Sequence, residues 1–124
     1  MSLRILAVED DLGIRRLLER GLRLAGHQVV TAEDVATGRT AWESGGYDVV
    51  LLDVMLPDGD GIALLDERRS AGDRTPAVLL TAREEGELSE RAHAAGASAH
   101  LAKPFAYAEL LRCLEDVAGS DPAA

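Results

Sequence analysis

Apolar residues along this chain gather in short runs, each handing over to charged or turn-forming residues. Leu3-Arg4-Ile5-Leu6-Ala7-Val8 precedes Glu9-Asp10-Asp11, and Tyr47-Asp48-Val49-Val50-Leu51-Leu52 precedes Asp53. Ala77-Val78-Leu79-Leu80 precedes Thr81-Ala82, and Ala99-His100-Leu101-Ala102 precedes Lys103-Pro104-Phe105. Short runs rich in Leu and β-branched residues and bounded by turn formers predict strands buried on both faces of a parallel sheet. Residues 28–32 read as a further strand. Between the runs the apolar spacing becomes helical. Ile14, Leu17, Leu18, Leu22 and Ala25 share one face, with Arg15, Arg16, Glu19 and Arg23 mostly on the other, and Gly26 is a helix stop. Asp34 caps a predicted helix reaching about residue 44 and closed by Gly45-Gly46. Residues 62–70 form a short helix before the break at Gly72-Asp73-Arg74-Thr75-Pro76. A helix over 84–95 has the weakest apolar stripe, Leu88, Ala92 and Ala95, and hence the loosest packing. The last helix, 106–118, carries Tyr107, Leu110, Leu111, Leu114 and Val117 on one side. This repeated strand–helix alternation implies a parallel sheet with right-handed crossovers and helices on both faces.

The strand ends carry the chemistry. Ligands of such sheets bind outside the carboxyl ends of the strands, and there the sequence delivers Glu9 and Asp10, the lone Asp53, the hydroxyl of Thr81 and the ammonium of Lys103. Carboxylates meeting in one crevice repel one another unless a proton or cation intervenes, and hard, oxygen-preferring Mg2+ suits them. The loop after Asp53 is built of turn formers, with Pro57 and Gly61 shaping the backbone's approach. Asp11 falls at the start of the first helix, where its charge favours the helix dipole, and Asp58 and Asp60 read as solvated turn acids.

Composition narrows the classes. A chain of 124 residues makes one domain, and 47% hydrophobic content excludes a disordered tail. No apolar run approaches the ~20 residues of a membrane span, and the N-terminus does not resemble a signal peptide, so a cytoplasmic location is expected. The single Cys113 cannot form an internal disulfide and is given no catalytic role. A net charge of -9 argues against nucleic-acid binding, and 3% aromatic residues against a base-stacking platform. His27 and His93 lack metal-ligand spacing.

In their order along residues 3–117, the acidic pair, lone Asp, Thr and Lys-Pro resemble the receiver domain of bacterial two-component response regulators, the CheY-like superfamily. The alternation and the resemblance together imply an α/β, flavodoxin-like (βα)5 three-layer sandwich with a parallel five-stranded sheet of order 2-1-3-4-5, whose switch point lies between strands 1 and 3. Residues 1–118 would form the receiver and 119–124 a C-terminal tail or the start of a linker. By this resemblance Asp53 is the phosphoacceptor, receiving a phosphoryl group from the phosphohistidine of a sensor histidine kinase with Mg2+ as cofactor, for which Mn2+ can substitute. Asp10, Asp53 and the Met55 backbone carbonyl would ligate the ion, and Glu9 would act mostly through a metal-bound water. Lys103 would pair with a phosphoryl oxygen, its bond to Pro104 cis and Phe105 its buried anchor. Thr81 would bond another phosphoryl oxygen, with the small Ala82 leaving room.

That pairing would couple phosphorylation to a change at the face formed by the fourth helix, fifth strand and fifth helix, where a homodimer is expected. Neither output domain nor docking partner is specified by the sequence, and no nucleic acid or membrane is expected to bind. The chain departs from the family pattern at His100, where an aromatic switch residue is usual; His100 is either such a switch or a plain edge-strand histidine. Ser98-Ala99 replaces the acidic pair that usually supports the dimer. Met55 and Arg83 form a bulky pair that implies slow self-dephosphorylation. Taken singly, Asp10 and Thr81 could be helix caps and Lys103 a solvated lysine. Two rivals differ in class. A hydrolase of the haloacid dehalogenase kind forms an aspartyl phosphate but needs a second Asp where this chain has Met55. A pseudo-receiver binds without being phosphorylated and is favoured only when site residues are missing, which they are not.

Overall fold

The computed structural model describes the backbone of residues 2–82 and 86–119 and the side chains of these except 86–89 and 119. In chain order the elements are β1 Arg4–Val8, α1 Leu12–Leu24, β2 Gln28–Ala32, α2 Val35–Glu43, β3 Val49–Asp53, β4 Met55–Leu56, β5 Gly59–Asp60, α3 Gly61–Ser70, β6 Ala77–Thr81, α4 Gly86–Ala94, β7 Ala99–Ala102 and α5 Tyr107–Gly119. Arg83, Glu84, Glu85 and residues 120–124 lie outside the described residues, and with them the expected start of the fourth helix, one half of the Met55–Arg83 pair and most of the expected tail.

All pairings in the main sheet are parallel and its order is β2-β1-β3-β6-β7. With the two-residue strands β4 and β5 set aside, this is the expected flavodoxin-like order 2-1-3-4-5. Those two strands form a small antiparallel hairpin, Met55 opposite Asp60 and Leu56 opposite Gly59, where the sequence reading has only a loop. Pro57 and Asp58, both turn formers, make its bend.

Successive strand residues point to opposite faces, and both faces are buried. Leu6, Val8, Val50, Leu52 and Leu79 meet α2, α3 and α4 through Val35, Trp42, Ile62, Leu64, Leu65 and Ala92. Ile5, Ala7, Val49, Leu51, Val78 and Leu80 meet α1 and α5 through Leu18, Leu22, Leu110, Leu114 and Val117. Each buried aliphatic side chain contributes about 1.5–3 kcal/mol relative to exposure. These three central strands are thereby fixed with little freedom at their carboxyl ends.

Two expectations about helix faces are corrected. Leu17 stands 64% exposed and Ala25 is also on the surface. The buried stripe of α1 runs through Leu18 and Leu22, and one residue turns the helix by about 100°, which carries Leu17 away from the sheet. Tyr107 is likewise half exposed at the start of α5. Its ring lies across Gly21 of α1, where a Cβ would collide with it, and its hydroxyl donates to the Gly21 carbonyl at 2.6 Å. Ala92 and Ala95 are buried as the stripe of the fourth helix requires, while the Leu88 side chain is outside those described.

Candidate functional site

Three central strands and the edge strand β7 bring the sequence-marked groups to one end of the sheet. Glu9 follows β1 directly and is fully buried, whereas Asp10 beside it is exposed. Asp53 is the last residue of β3 and Thr81 the last of β6, exposed by only 6% and 2%. One carboxylate oxygen from each of Glu9, Asp10 and Asp53 lies within 4.8 Å of the others. Oxygen-only donors so grouped, with two buried and one open to solvent, fit a hard divalent cation that retains water on its open side. Met55 is exposed, and its amide donates to Asp53 Oδ1 at 3.2 Å.

Lys103 follows β7. Its ammonium lies 3.0 Å from Asp53 Oδ2 and 2.5 Å from Glu9 Oε1. Its amide donates to the Thr81 carbonyl at 2.6 Å, so the ends of β6 and β7 are joined through the backbone of Thr81 and Lys103. The Lys103-Pro104 peptide bond is cis, and Phe105 packs, partly buried, against the core on the α5 side. Burial pushes the Glu9 carboxyl up to about 7, against the pull of Lys103 and with a further push from Asp53. Burial draws the Lys103 ammonium the other way, but its bonds to Glu9 and Asp53 outweigh this and hold it above the ordinary lysine value. The carboxyl stays raised although an ammonium lies against it, because burial outweighs that attraction.

The Thr81 hydroxyl donates to the Leu101 carbonyl at 3.4 Å, a long bond. On the neighbouring strand Ala102 pairs with Thr81 and His100 with Leu79. Strand alternation therefore puts half-buried His100 on the same sheet face as Thr81. Gly61 opens α3 against the site: its amide bonds the Val54 carbonyl at 2.8 Å, and a Cβ there would overlap the Asp53 carbonyl oxygen. Only glycine allows that approach.

Asp58 and Asp60 are not merely solvated turn acids. Asp58 accepts the amides of Val35 and Ala36 at 2.7 and 3.0 Å, which joins Asp34 in capping α2 and ties the loop after Asp53 to that helix. Asp60 caps α3 through the Ile62 amide at 2.8 Å and pairs with Arg91 of α4. Asp11 lies at the start of α1, as the sequence reading expects, and it rather than Asp10 caps that helix, through the Ile14 amide at 2.9 Å. Arg15, assigned by periodicity to the solvent face, instead folds its guanidinium back over the loop after β1, where it donates to the carbonyls of Glu9 and Asp10. Its spacing of six and five residues from that acidic pair is the sole trace in the sequence.

Among the described residues, Glu9, Asp10 and Asp53 form the one cluster of His, Cys, Asp and Glu able to hold a metal ion. No helix among them is long and apolar enough to cross a membrane.

Comparison with known proteins agrees with this geometry. Residues 5–115 match the model of the response regulator receiver domain. The chain is 43% identical over 109 residues, 88% of its length, to the swarming motility regulation protein RssB of Serratia marcescens, and covers 50% of that protein. It spans about half the length of the curated relatives it matches. The chemotaxis protein CheY4 of Vibrio cholerae has a similar structure, with a TM-score of 0.88 at 30% identity, covering 94% of this chain and 99% of that one. The receiver domain of the sensor histidine kinase PA1611 of Pseudomonas aeruginosa, solved with a magnesium ion coordinated in its active site cleft, matches with a TM-score of 0.87 at 35% identity over 97% of this chain and 100% of that one.

Proposed function

The chain belongs to the response regulator receiver family, and on that premise we propose that it is a phosphorylation-dependent switch whose acceptor is Asp53. The observation that carries this reading is the meeting of Glu9, Asp10 and Asp53 within 4.8 Å with Lys103 seated 3.0 Å from Asp53 Oδ2. The donor is the phosphohistidine of a sensor histidine kinase. An Asp53 carboxylate oxygen forms the new bond to phosphorus as the phosphorus–nitrogen bond breaks and the imidazole leaves with its electron pair. Asp10, Asp53 and the Met55 carbonyl would hold Mg2+ (or Mn2+) directly, with Glu9 behind a water. Bound there, the cation supplies neutralisation of the charge that accumulates on the phosphoryl oxygens.

Lys103 exchanges its present carboxylate partners for a phosphoryl oxygen. Thr81 leaves its long bond to the Leu101 carbonyl for another, and its movement reaches His100 and the face of α4, β7 and α5. That face would carry the change to a homodimer or to an output partner in the cytoplasm. The domain is a phosphoacceptor, without turnover beyond self-phosphorylation from small donors and slow self-dephosphorylation.

Intact-protein mass after incubation with acetyl phosphate and Mg2+ tests this. One phosphoryl adduct is expected, absent from Asp53→Asn and from a sample with excess chelator. An unmodified mass under every condition would overturn the proposal and leave a binding module with the same fold.

A further inference from the structure

Arg15 sits in the first turn of α1, where the helix dipole and free amides disfavour a cation. Its side chain is nevertheless only 17% exposed. The guanidinium turns back past the helix start, and its Nη1 donates to the Glu9 carbonyl at 2.9 Å and to the Asp10 carbonyl at 3.2 Å. Nη2 faces Glu33 of the neighbouring loop at 3.9 Å, a distant and largely exposed partner. The two carbonyls, rather than an ion pair, thus account for its seat.

Those carbonyls belong to the two residues whose carboxylates join Asp53. The Glu9 amide donates to the Ala32 carbonyl of β2 at 2.9 Å, so the Glu9 backbone is held on one side by the sheet and on the other by Arg15. The side chain of Glu9 is also fixed, its Oε2 accepting the Asp11 amide at 3.1 Å. Asp10, by contrast, is exposed, and Arg15 is the group that grips its carbonyl.

We infer that Arg15 is a positioning residue for the divalent-cation site, setting the Glu9-Asp10 backbone so that the two carboxylates converge with that of Asp53. This rests on the reading of that cluster as a cation site. A hard cation rewards oxygens already placed, and a loop free to splay loses affinity. The inference has a sign that sets it apart from plain electrostatics. Arg15 is a positive charge beside a cation site, so deleting it as a bystander would tighten cation binding; deleting it as the brace of the loop weakens it.

The test is an NMR titration of the whole chain with Mg2+, following the amides of Glu9, Asp10 and Met55, in wild type, Arg15→Gln and Arg15→Lys. The expected loss for Arg15→Gln is about tenfold in Mg2+ affinity, in the range of residues that orient metal ligands. Arg15→Lys keeps the charge on a stem one bond shorter, and a smaller loss of about threefold, below that range, is expected because one amine can still reach a carbonyl. Should Arg15→Gln fail to fold, the Lys variant decides alone. Melting temperatures without metal are recorded beside the affinities, since general loosening lowers these without changing the affinity of the folded protein. Affinities within twofold of wild type, or tighter, would overturn the inference. A wild type without saturable Mg2+ binding would instead overturn the cation reading, and this inference with it.

Discussion

Glu9 is the residue on which the energetics of the site turn. It is fully buried, and its ordinary pKa of 4.5 is pushed up to about 7 by burial, although Lys103 lies against it. A carboxyl that binds its proton more tightly folded than unfolded favours folding at low pH. In metal-free protein its contribution is complete below pH about 4.5 and is lost as pH rises through about 7. Asp58, Glu67 and Asp73 are all held below their ordinary values of 3.8, 4.5 and 3.8 and act only in more acid solution. Cys113 and Lys103 are raised above 9.0 and 10.5 and act only in alkali. With chelator present, the melting temperature is therefore expected to fall between pH 5 and pH 7.5. Glu9→Gln should flatten that slope and melt higher than wild type at pH 7.5, whereas a parallel slope in the variant would assign it to other groups. The acids of the site were legible in the sequence because each follows an apolar run that could only be a strand. Arg15 and Asp58 were not, because their partners are backbone groups and no pattern of side chains records which amide or carbonyl a charge will reach.

At the scale of elements, the join between β3 and α3 does most to place Asp53. The strand ends at Asp53, the β4–β5 hairpin intervenes, and α3 begins at Gly61 with its backbone pressed on the Asp53 carbonyl. Asp58 ties the same segment to α2 and Asp60 ties it to α3 and α4, so three helices share one short loop. A side chain at Gly61 must push the start of α3 from β3, and overpacking of this kind costs about 1–3 kcal/mol. Gly61→Ala is expected to lower the urea midpoint accordingly with an unchanged m-value, which urea unfolding followed by circular dichroism measures. An unaltered midpoint would show that the join yields freely. The sequence marked this loop by its Pro, Gly and Asp content but not its hairpin, since pairings of two residues leave no periodicity. It marked α1 well enough to find the helix yet put Leu17 inside, because five leucines and an isoleucine exceed what one face against the sheet can cover.

For the whole molecule, strand–helix alternation made a parallel sheet flanked by helices readable, whereas the order of the five long strands came from the resemblance to receiver domains, because no pattern along the chain says which strand lies beside which. The site followed from that order, as the switch between β1 and β3 is where their acids meet. What topology alone could not supply is the balance of charge there. A chain of net charge -9 concentrates three carboxylates around one ammonium, and burial, with a further push from Asp53, raises the Glu9 carboxyl to about 7 in spite of Lys103. Mg2+ should therefore stabilise the fold by more than screening. A ligand at a hundred times its dissociation constant adds about 2.7 kcal/mol, which for a domain of this size raises the melting temperature by several degrees. The expected rise at pH 7.5 with saturating Mg2+, over NaCl of equal ionic strength, should largely vanish in Asp10→Asn, which leaves the core untouched because Asp10 is exposed. It should also be larger at pH 7.5 than at pH 5.5, because at the lower pH the ion must displace the Glu9 proton. Equal shifts with NaCl and Mg2+ would mean that the ion acts on the net charge of the chain, and that the carboxylates meet for a reason other than holding a cation.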